Sequence, residues 1–220
     1  MALEVEREGH VVVARWRDGE NRLNLESVAA LEELLADLEG TEGPAALVLT
    51  GEGKFFSNGL DLERFQATPD ELGQTIARFH VLLGRLYVLP AYTVVAINGH
   101  AFAGGAMLTC AFDHRVMRAG RGYWCLNEAE IGLPLTRQMA AAVLGRLPRP
   151  AALEAMLTAR RYGADDAVAS GIVEEAAPLE RLVEVAVAHA TTVATKDRSV
   201  VAAHKRLAHG DLARACGWDA

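Results

Sequence analysis

The chain has 220 residues, of which 51% are hydrophobic and 23% charged, a balance typical of one globular domain with a sizeable core. Its 22 basic and 29 acidic side chains leave a formal net charge of -7, which argues against broad nucleic-acid or anionic-membrane binding. Three cysteines without CxxC spacing, an acidic and alternating start, and no apolar run of membrane length together predict a cytoplasmic protein with free thiols.

The first part of the chain alternates predicted strands and helices. A hairpin is predicted around Glu8-Gly9, followed by a helix over about 25–38 with Asn24 as its cap. The stretch "AALVLTG" is a continuous apolar strand of the kind buried on both faces, and the turn-prone "FFSNGLDL" comes directly after it. A helix over about 69–89 then leads to a second buried strand, "YTVVAI".

The second part changes character towards its end. "NGHAFAGGAMLTCAFD" predicts a strand end, a turn and a helix, and "HRVMRA" and "YWCLNEAEIGLP" predict short strands and loops. From Thr136 onward helices dominate, except for a short strand at "GIVEEA". Pro148-Arg149-Pro150 divides one domain into an α/β core over 1–147 and a helical C-terminal region over 148–220.

Two of the predicted buried strands end in turns that contain glycine. Gly104-Gly105 lie where a helix begins, and exposed N–H groups at a helix start suit an anion or a developing oxyanion. One amide from each turn, directed at the same oxygen, would form an oxyanion hole. Taken alone, Gly104-Gly105 are better explained by close packing of a helix against a strand.

Together these stretches resemble the crotonase, or enoyl-CoA hydratase/isomerase, superfamily over roughly 5–205. "FFSNGLDL" matches its F-S-x-G-x-D-L turn, and "NGHAFAGG" matches N-G-x-A-x-G-G, with Ala103 in place of a frequent extra glycine. "ADDAVASGIVEEAAP" is similar to its A-x-x-A-x-x-x-G-L-V-x-x-V segment. The resemblance implies an α/β, crotonase-like (ClpP/crotonase) spiral of ββα units, with a helical C-terminal region, assembled as homotrimers or dimers of trimers.

The resemblance also implies an acyl-CoA thioester as substrate, and no cofactor beyond the coenzyme A that the substrate carries. The backbone N–H groups of Asn58 and Gly104 are expected to hold the thioester oxygen. The expected substrate contacts are Arg22, Asn58, Gly59, Leu60, Asp61, Leu62 and Gly104. Because no Cys/His/carboxylate cluster has ligand spacing in the sequence, we predict no metal site.

A hydratase of this superfamily carries two glutamates. The position of the first is Met107, whose thioether cannot transfer protons, and the position of the second is Glu128 in "CLNEAEIGLP". "LNE" before a Gly-Leu turn resembles the Δ3,Δ2-enoyl-CoA isomerases, which use one glutamate. We therefore predict a 3-enoyl-CoA to 2-enoyl-CoA isomerase in which Glu128 alone moves the proton from C2 to C4 through an oxyanion-stabilised dienolate.

Several residues near these motifs have alternative roles. In an extended segment Glu130 faces the same side as Glu128, so only the resemblance favours Glu128, with Glu130 capping or forming an ion pair. Asn127 either orients the base or shapes the turn. Asp61 is expected to be an acceptor within its turn. Lys54 and Lys205, like Arg22, are candidates for coenzyme A phosphate contacts, although surface charge is the simpler interpretation of each.

His100 and His114 fit packing or surface hydrogen bonding better than catalysis. Two other functions stay open at this point. One is an enoyl-CoA hydratase or another reaction of the same superfamily. The other is a non-catalytic acyl-CoA binding protein, which would have no need of a carboxylate at Glu128.

Overall fold

A computed structural model describes residues 3–219, which form nine strands and ten helices. The strands are β1 (Leu3–Glu8), β2 (Val11–Trp16), β3 (Ala46–Gly51), β4 (Phe55–Ser57), β5 (Tyr92–Ile97), β6 (His100–Phe102), β7 (His114–Arg118), β8 (Trp124–Cys125) and β9 (Glu175–Ala177). The helices are α1 (Leu25–Gly40), α2 (Leu62–Ala67), α3 (Pro69–Tyr87), α4 (Gly104–Cys110), α5 (Glu128–Ile131), α6 (Arg137–Arg146), α7 (Arg149–Thr158), α8 (Ala164–Ala169), α9 (Leu179–Ala194) and α10 (Arg198–Ala215).

Six strands form the main sheet, in the order β1-β2-β3-β5-β7-β9. The hairpin β1-β2 is antiparallel, as predicted around Glu8-Gly9, and the other neighbours are parallel. β3 is buried along its whole length because helices cover both faces of the sheet. Leu47 and Leu49 belong to the same core cluster as residues of α1 and α3, whereas Ala46 and Val48 pack with residues of α9.

Three short strands form a second, parallel sheet, in the order β4-β6-β8. β3, β5 and β7 of the main sheet are each followed along the chain by one strand of the small sheet and then by a helix. This makes three successive ββα units, the repeat expected from the sequence. In each unit a turn connects the strand of the small sheet to the following helix. Because the three strands of the small sheet are parallel, these turns lie on one side of the molecule.

The start of α1 shows how local chemistry fixes one of these elements. The Asn24 side chain accepts hydrogen bonds from the backbone N–H groups of Glu26 and Ser27, and the Ser27 hydroxyl in turn accepts from the Asn24 N–H. Such a capping arrangement typically contributes about 1 kcal/mol to helix stability. The predicted cap is confirmed, and the helix continues to Gly40, two residues beyond the predicted end.

The region after Pro148 is helical, as predicted, but it also completes the sheet. β9 forms the edge of the main sheet beside β7, and α9 covers the face that carries Val48 and Val94. The segment "YWCLNEAEIGLP" differs from the prediction, since it folds as a two-residue strand followed by the short helix α5. No helix within residues 3–219 is long and apolar enough to cross a membrane. All three cysteines are free and buried.

Candidate active site

A cavity of about 420 Å³ lies among α2, α3, α4, α5 and the start of α6. Most of its wall is apolar, and it includes Leu60, Leu62, Leu72, Ile76, Ile131 and Met139. The polar side chains that reach it include Asn58 of the first motif turn and the neighbours Asn127 and Glu128. An apolar cavity with a few convergent polar groups is the usual form of a small-molecule site.

The two glycine turns meet at this cavity, as the sequence predicted. Gly59 has a φ of +77°, and a Cβ on it would lie 2.8 Å from the Ala103 Cβ and 3.1 Å from the Gly104 nitrogen. Only glycine allows both the positive φ and this close approach. The first turn therefore packs directly against the first residue of α4.

Of the two amides predicted to form the oxyanion hole, the assignment of Asn58 is wrong. The Asn58 N–H donates to the Glu20 carbonyl oxygen at 2.9 Å, so it is not available to a ligand. The Asn58 side chain also turns to Glu20, because its Nδ2 donates to Oε2 at 2.8 Å. Asn58 lines the cavity, but its hydrogen bonds hold the turn to the loop that precedes α1.

The free amide of this turn belongs to Leu60. Leu23 donates to the Gly59 carbonyl at 2.7 Å and accepts from the Asp61 N–H at 3.0 Å, so the Leu60 N–H points away from Leu23. Within residues 3–219 it has no hydrogen-bond acceptor. Gly104 is the first residue of α4, and an N–H at this position has no partner inside the helix. The geometry thus brings two unused amides together, those of Leu60 and Gly104.

The loop that anchors the first turn was missed by the sequence analysis. Asn21 is fully buried, and its Nδ2 donates to the carbonyl oxygens of Phe55 and Phe56 at 3.2 and 3.0 Å. The Ser57 hydroxyl donates back to the Asn21 carbonyl at 2.6 Å. The only signal in the sequence is the polar run "ENRLN" between two apolar elements, which does not reveal a partner more than 30 residues away.

Glu128 is the first residue of α5 and places its carboxyl group in the cavity. The residue is 9% exposed, and its Oε2 has no hydrogen-bond partner in the described chain. Burial raises the pKa of the Glu128 carboxyl to about 7, because the apolar wall disfavours the charged form. Such a carboxylate is a stronger base than a solvated one, and near neutral pH it both accepts and returns a proton.

Glu130 does not share the cavity with Glu128. α5 is helical rather than extended, so residues two apart point in different directions. Glu130 is exposed and lies 3.7 Å from a guanidinium nitrogen of Arg161, which confirms its expected part in an ion pair. The premise that the two glutamates face the same side is wrong.

No second carboxyl group accompanies Glu128 inside the cavity of the described chain, as the positions of Met107, Glu63 and Asn127 show. Met107 is fully buried in α4 and does not line the cavity, so no proton-transferring group occupies the position of a second glutamate. Glu63 lines the cavity mouth, but its side chain is 83% exposed and pairs with Arg22 at 3.1 Å. Asn127 also lines the cavity. Its Oδ1 and the Oε2 of Glu128 both lack a hydrogen-bond partner in the described residues, so no hydrogen bond from Asn127 to that oxygen orients the base.

Arg22 lines the cavity mouth with its charge already compensated. Its guanidinium lies 2.8 Å from Glu20, 3.2 Å from Asp61 and 3.1 Å from Glu63. The hydrogen bond to Glu20, foremost among these contacts, raises the pKa of Arg22 above its usual range. Asp61 also accepts from the Arg64 N–H as the cap of α2, which confirms its role as a turn acceptor.

The remaining predicted residues fall into two groups. Arg22, Asn58, Leu60, Leu62 and Gly104 line the cavity together with Glu128, whereas Gly59 and Asp61 do not line it. Lys205 is buried, with its ammonium 2.6 Å from Asp113, so its interpretation as surface charge is wrong, and it does not line the cavity.

Two further residues contact aromatic side chains. Lys54 lies over the Phe55 ring, outside the cavity. His100 packs among aromatic rings, including Phe55, Phe102 and Tyr123, as predicted.

Comparison with known proteins agrees with this geometry. The sequence model of the enoyl-CoA hydratase/isomerase family matches residues 7–215. The chain is 35% identical to enoyl-CoA delta isomerase 3 of Arabidopsis thaliana over 188 residues, which are 81% of this chain and 79% of that protein. It is also 35% identical to the peroxisomal enoyl-CoA delta isomerase 2 of the same plant, over 73% of this chain and 70% of that protein.

The fold has close counterparts among solved structures. The crystal structure of a probable enoyl-CoA hydratase from Mycobacterium tuberculosis aligns with a TM-score of 0.91 and 28% identity. The alignment covers 98% of this chain and 91% of that one. The crotonase-like fold expected from the two motif turns is confirmed.

Proposed function

Because the chain belongs to the enoyl-CoA hydratase/isomerase family, we propose that its cavity binds a 3-enoyl-CoA thioester and converts it to the 2-enoyl isomer. One observation carries the proposal. Glu128 is buried in an apolar cavity and has no ion-pair partner among residues 3–219, and Met107 replaces the second carboxylate that water addition would use. One group that takes a proton and returns it is sufficient for moving a double bond.

The proton transfer follows from the chemistry of the thioester. Glu128 removes a proton from C2, which lies between the carbonyl and the C3–C4 double bond, and gives a dienolate. The same carboxyl group then returns the proton to C4, so the enzyme ends in its starting protonation state. The raised pKa of Glu128 suits both the removal of the C2 proton and its return to C4, since the carboxylate and the carboxylic acid are comparably stable near pH 7.

The negative charge of the dienolate resides mainly on the thioester oxygen. We assign the two amides that stabilise it to Leu60 and Gly104, in place of the pair predicted from the motifs. Their support is that the two N–H groups lie at the meeting point of the turns, within the cavity wall that also carries Glu128. Losing one such donor typically costs ~2.7–4 kcal/mol of transition-state stabilisation, comparable to losing the base.

Hydration of a 2-enoyl-CoA is the second candidate. It is favoured by the similarity to a putative enoyl-CoA hydratase of Thermus thermophilus, which is 38% identical over 87% of this chain and 77% of that protein. The fully buried Met107 argues against it, because addition of water uses one group to activate the water and a second to protonate C2. The third candidate is a non-catalytic acyl-CoA binding protein. A buried Glu128 whose Oε2 has no hydrogen-bond partner in the described residues argues against it, because such a carboxylate costs stability and binding alone does not require it.

The test is a direct assay of the purified protein on one 3-enoyl-CoA and one 2-enoyl-CoA. Isomerisation creates a conjugated thioester, whose ultraviolet absorbance rises, whereas hydration removes one and the absorbance falls. We expect turnover of the 3-enoyl substrate and at most slow hydration of the 2-enoyl one. Faster hydration than isomerisation would contradict the proposal, and binding without turnover of either substrate would favour the binder.

We further propose that the chain assembles as a homotrimer or a dimer of trimers. Two leucines are mostly exposed on its helical region, Leu157 on α7 at 73% and Leu207 on α10 at 85%. Single exposed leucines are also common on monomers, so the proposal rests on the family resemblance. Light scattering checks the assembly, and a stable monomer would contradict it. The cytoplasmic location and the absence of a cofactor beyond the substrate's coenzyme A stay predictions.

A further inference from the structure

Three side chains far apart in the sequence converge at the edge of the main sheet, outside the catalytic cavity. His114 begins β7, and Glu175 begins the neighbouring edge strand β9. His189 lies on α9, which packs across the same strands. From these residues we propose a binding site for a divalent transition-metal ion of the zinc type, with His114, Glu175 and His189 as its protein ligands.

The donor atoms already lie close together. One donor from each residue can be chosen so that all three fall within 4.8 Å of one another. The Nε2 of His189 is 2.7 Å from a carboxylate oxygen of Glu175, and the imidazole rings of His114 and His189 have centroids 4.0 Å apart at an angle of 31°. Donors bound to one tetrahedral zinc ion at ~2.0–2.1 Å lie roughly 3.3 Å from one another. A contraction of about 1.5 Å is thus sufficient, and rotation of the two imidazole rings about a broad side-chain torsion supplies it.

His114 contributes a second, independent observation. Its Nε2 is buried and has no hydrogen-bond partner in the described chain. A buried polar atom without a partner costs free energy, and a metal–nitrogen bond is one way to recover it. The side chains of His189 and Glu175 are 38% and 41% exposed, so an ion and a water as the fourth ligand have access from solvent.

The donor set selects the class of metal. Two imidazole nitrogens and one carboxylate oxygen suit zinc and its transition-metal neighbours, whereas Ca²⁺ and Mg²⁺ prefer ligand sets made only of oxygen. The adjacent Glu174 is held by the buried Arg115, whose guanidinium lies 2.5 Å from it, so it does not compete for the ion. The prediction of no metal site rested on spacing along the sequence, and the fold assembles a group that such spacing does not show.

The site is distinct from the catalytic one. His114 pairs with Val94, near the start of β5, whereas the second motif turn follows Ile97 at the other end of the same strand. None of the three ligands lines the catalytic cavity. An ion here would link α9 to the neighbouring strands β7 and β9, so its expected effect is on stability, and the inference stands independently of the proposed reaction.

The experiment titrates the metal-free, full-length protein with Zn²⁺ in a calorimeter and with Co²⁺ by its visible absorption. We expect one ion per chain. His189→Ala and Glu175→Gln should each weaken Zn²⁺ binding at least ~10–100-fold, because mutation of residues that only support the metal ligands already lowers metal affinity by this factor. His204→Ala is the matched control, because His204 is exposed on α10 and belongs to no such group in the described part of the chain. It should bind Zn²⁺ as the unmodified protein does.

A second readout is thermal unfolding. Saturating Zn²⁺ should raise the Tm of the unmodified protein and of His204→Ala, but not that of His189→Ala or Glu175→Gln. Circular dichroism checks that each variant is folded. Because the two ligand variants lie on different elements, the test can still be made if one of them does not fold. Absence of saturable Zn²⁺ binding at millimolar metal, or equal affinity in His189→Ala and His204→Ala, would overturn the proposal.

Discussion

Replacing Glu128 with glutamine should make the protein more stable at alkaline pH while removing its proton carrier. Burial raises the pKa of this carboxyl from an ordinary 4.5 to about 7, so the folded state prefers the neutral acid. A group whose pKa is raised on folding favours the folded state at low pH. This contribution is complete below pH 4.5 and is lost as pH rises through 7.

The size of the effect follows from the linkage of protonation to folding. At 1.36 kcal/mol per pKa unit, the ionised group destabilises the folded state by about 3 kcal/mol well above pH 7. Between about pH 5 and about pH 8, the free energy of unfolding should fall by roughly 2.5 kcal/mol more in the unmodified protein than in Glu128→Gln. The residue is only 9% exposed, so solvent screens this cost little.

Urea denaturation at the two pH values measures this difference directly. Glu130→Gln is the control, because Glu130 is exposed and faces away from the cavity, and it should follow the unmodified protein at both pH values. The reasoning is refuted if Glu128→Gln and the unmodified protein show the same dependence on pH. It is also refuted if the unmodified protein gains stability relative to the variant as pH rises.

Three further predictions concern the cavity. The kcat/KM of isomerisation should rise with pH and level off above a midpoint near 7, because Glu128 must be ionised to accept the C2 proton; a flat profile from about pH 5 to 8 would contradict this. Gly59→Ala should lower both Tm and turnover, since its Cβ would lie 2.8 Å from that of Ala103 at a φ of +77°; unchanged values would show that the turns need not touch. Met107→Glu should destabilise the fold by about 3 kcal/mol or more, because it places a carboxyl group at a fully buried position; a variant as stable as the unmodified protein would contradict this.

The sequence predicts those features that depend on local pattern. β3 and β5 are recognisable because a strand covered on both faces is apolar at every position, and Asn24 is recognisable because a cap acts within three residues. The resemblance at the two motif turns and at "LNE" places Glu128, and the structure puts it in the cavity.

The features that the sequence does not predict depend on distant partners. Whether Asn58 or Leu60 offers its amide is decided by the carbonyl of Glu20 and by Leu23, which belong to a loop more than 30 residues earlier. The direction of Glu130 is decided by one turn of helix too short to show a periodic pattern. Lys205 is expected on the surface by its residue type, yet it is buried against Asp113 in the assembled fold.

The central claim is that Glu128 alone carries the proton, and the most direct test is the kcat/KM of Glu128→Gln and Glu130→Gln on one 3-enoyl-CoA. General-base catalysis commonly supplies ~10²–10⁴-fold, and a sole carrier should lie at the upper end of that range. We expect a loss of this size in Glu128→Gln, with coenzyme A affinity retained, and little change in Glu130→Gln. An active Glu128→Gln variant would contradict it, whichever result Glu130→Gln gives.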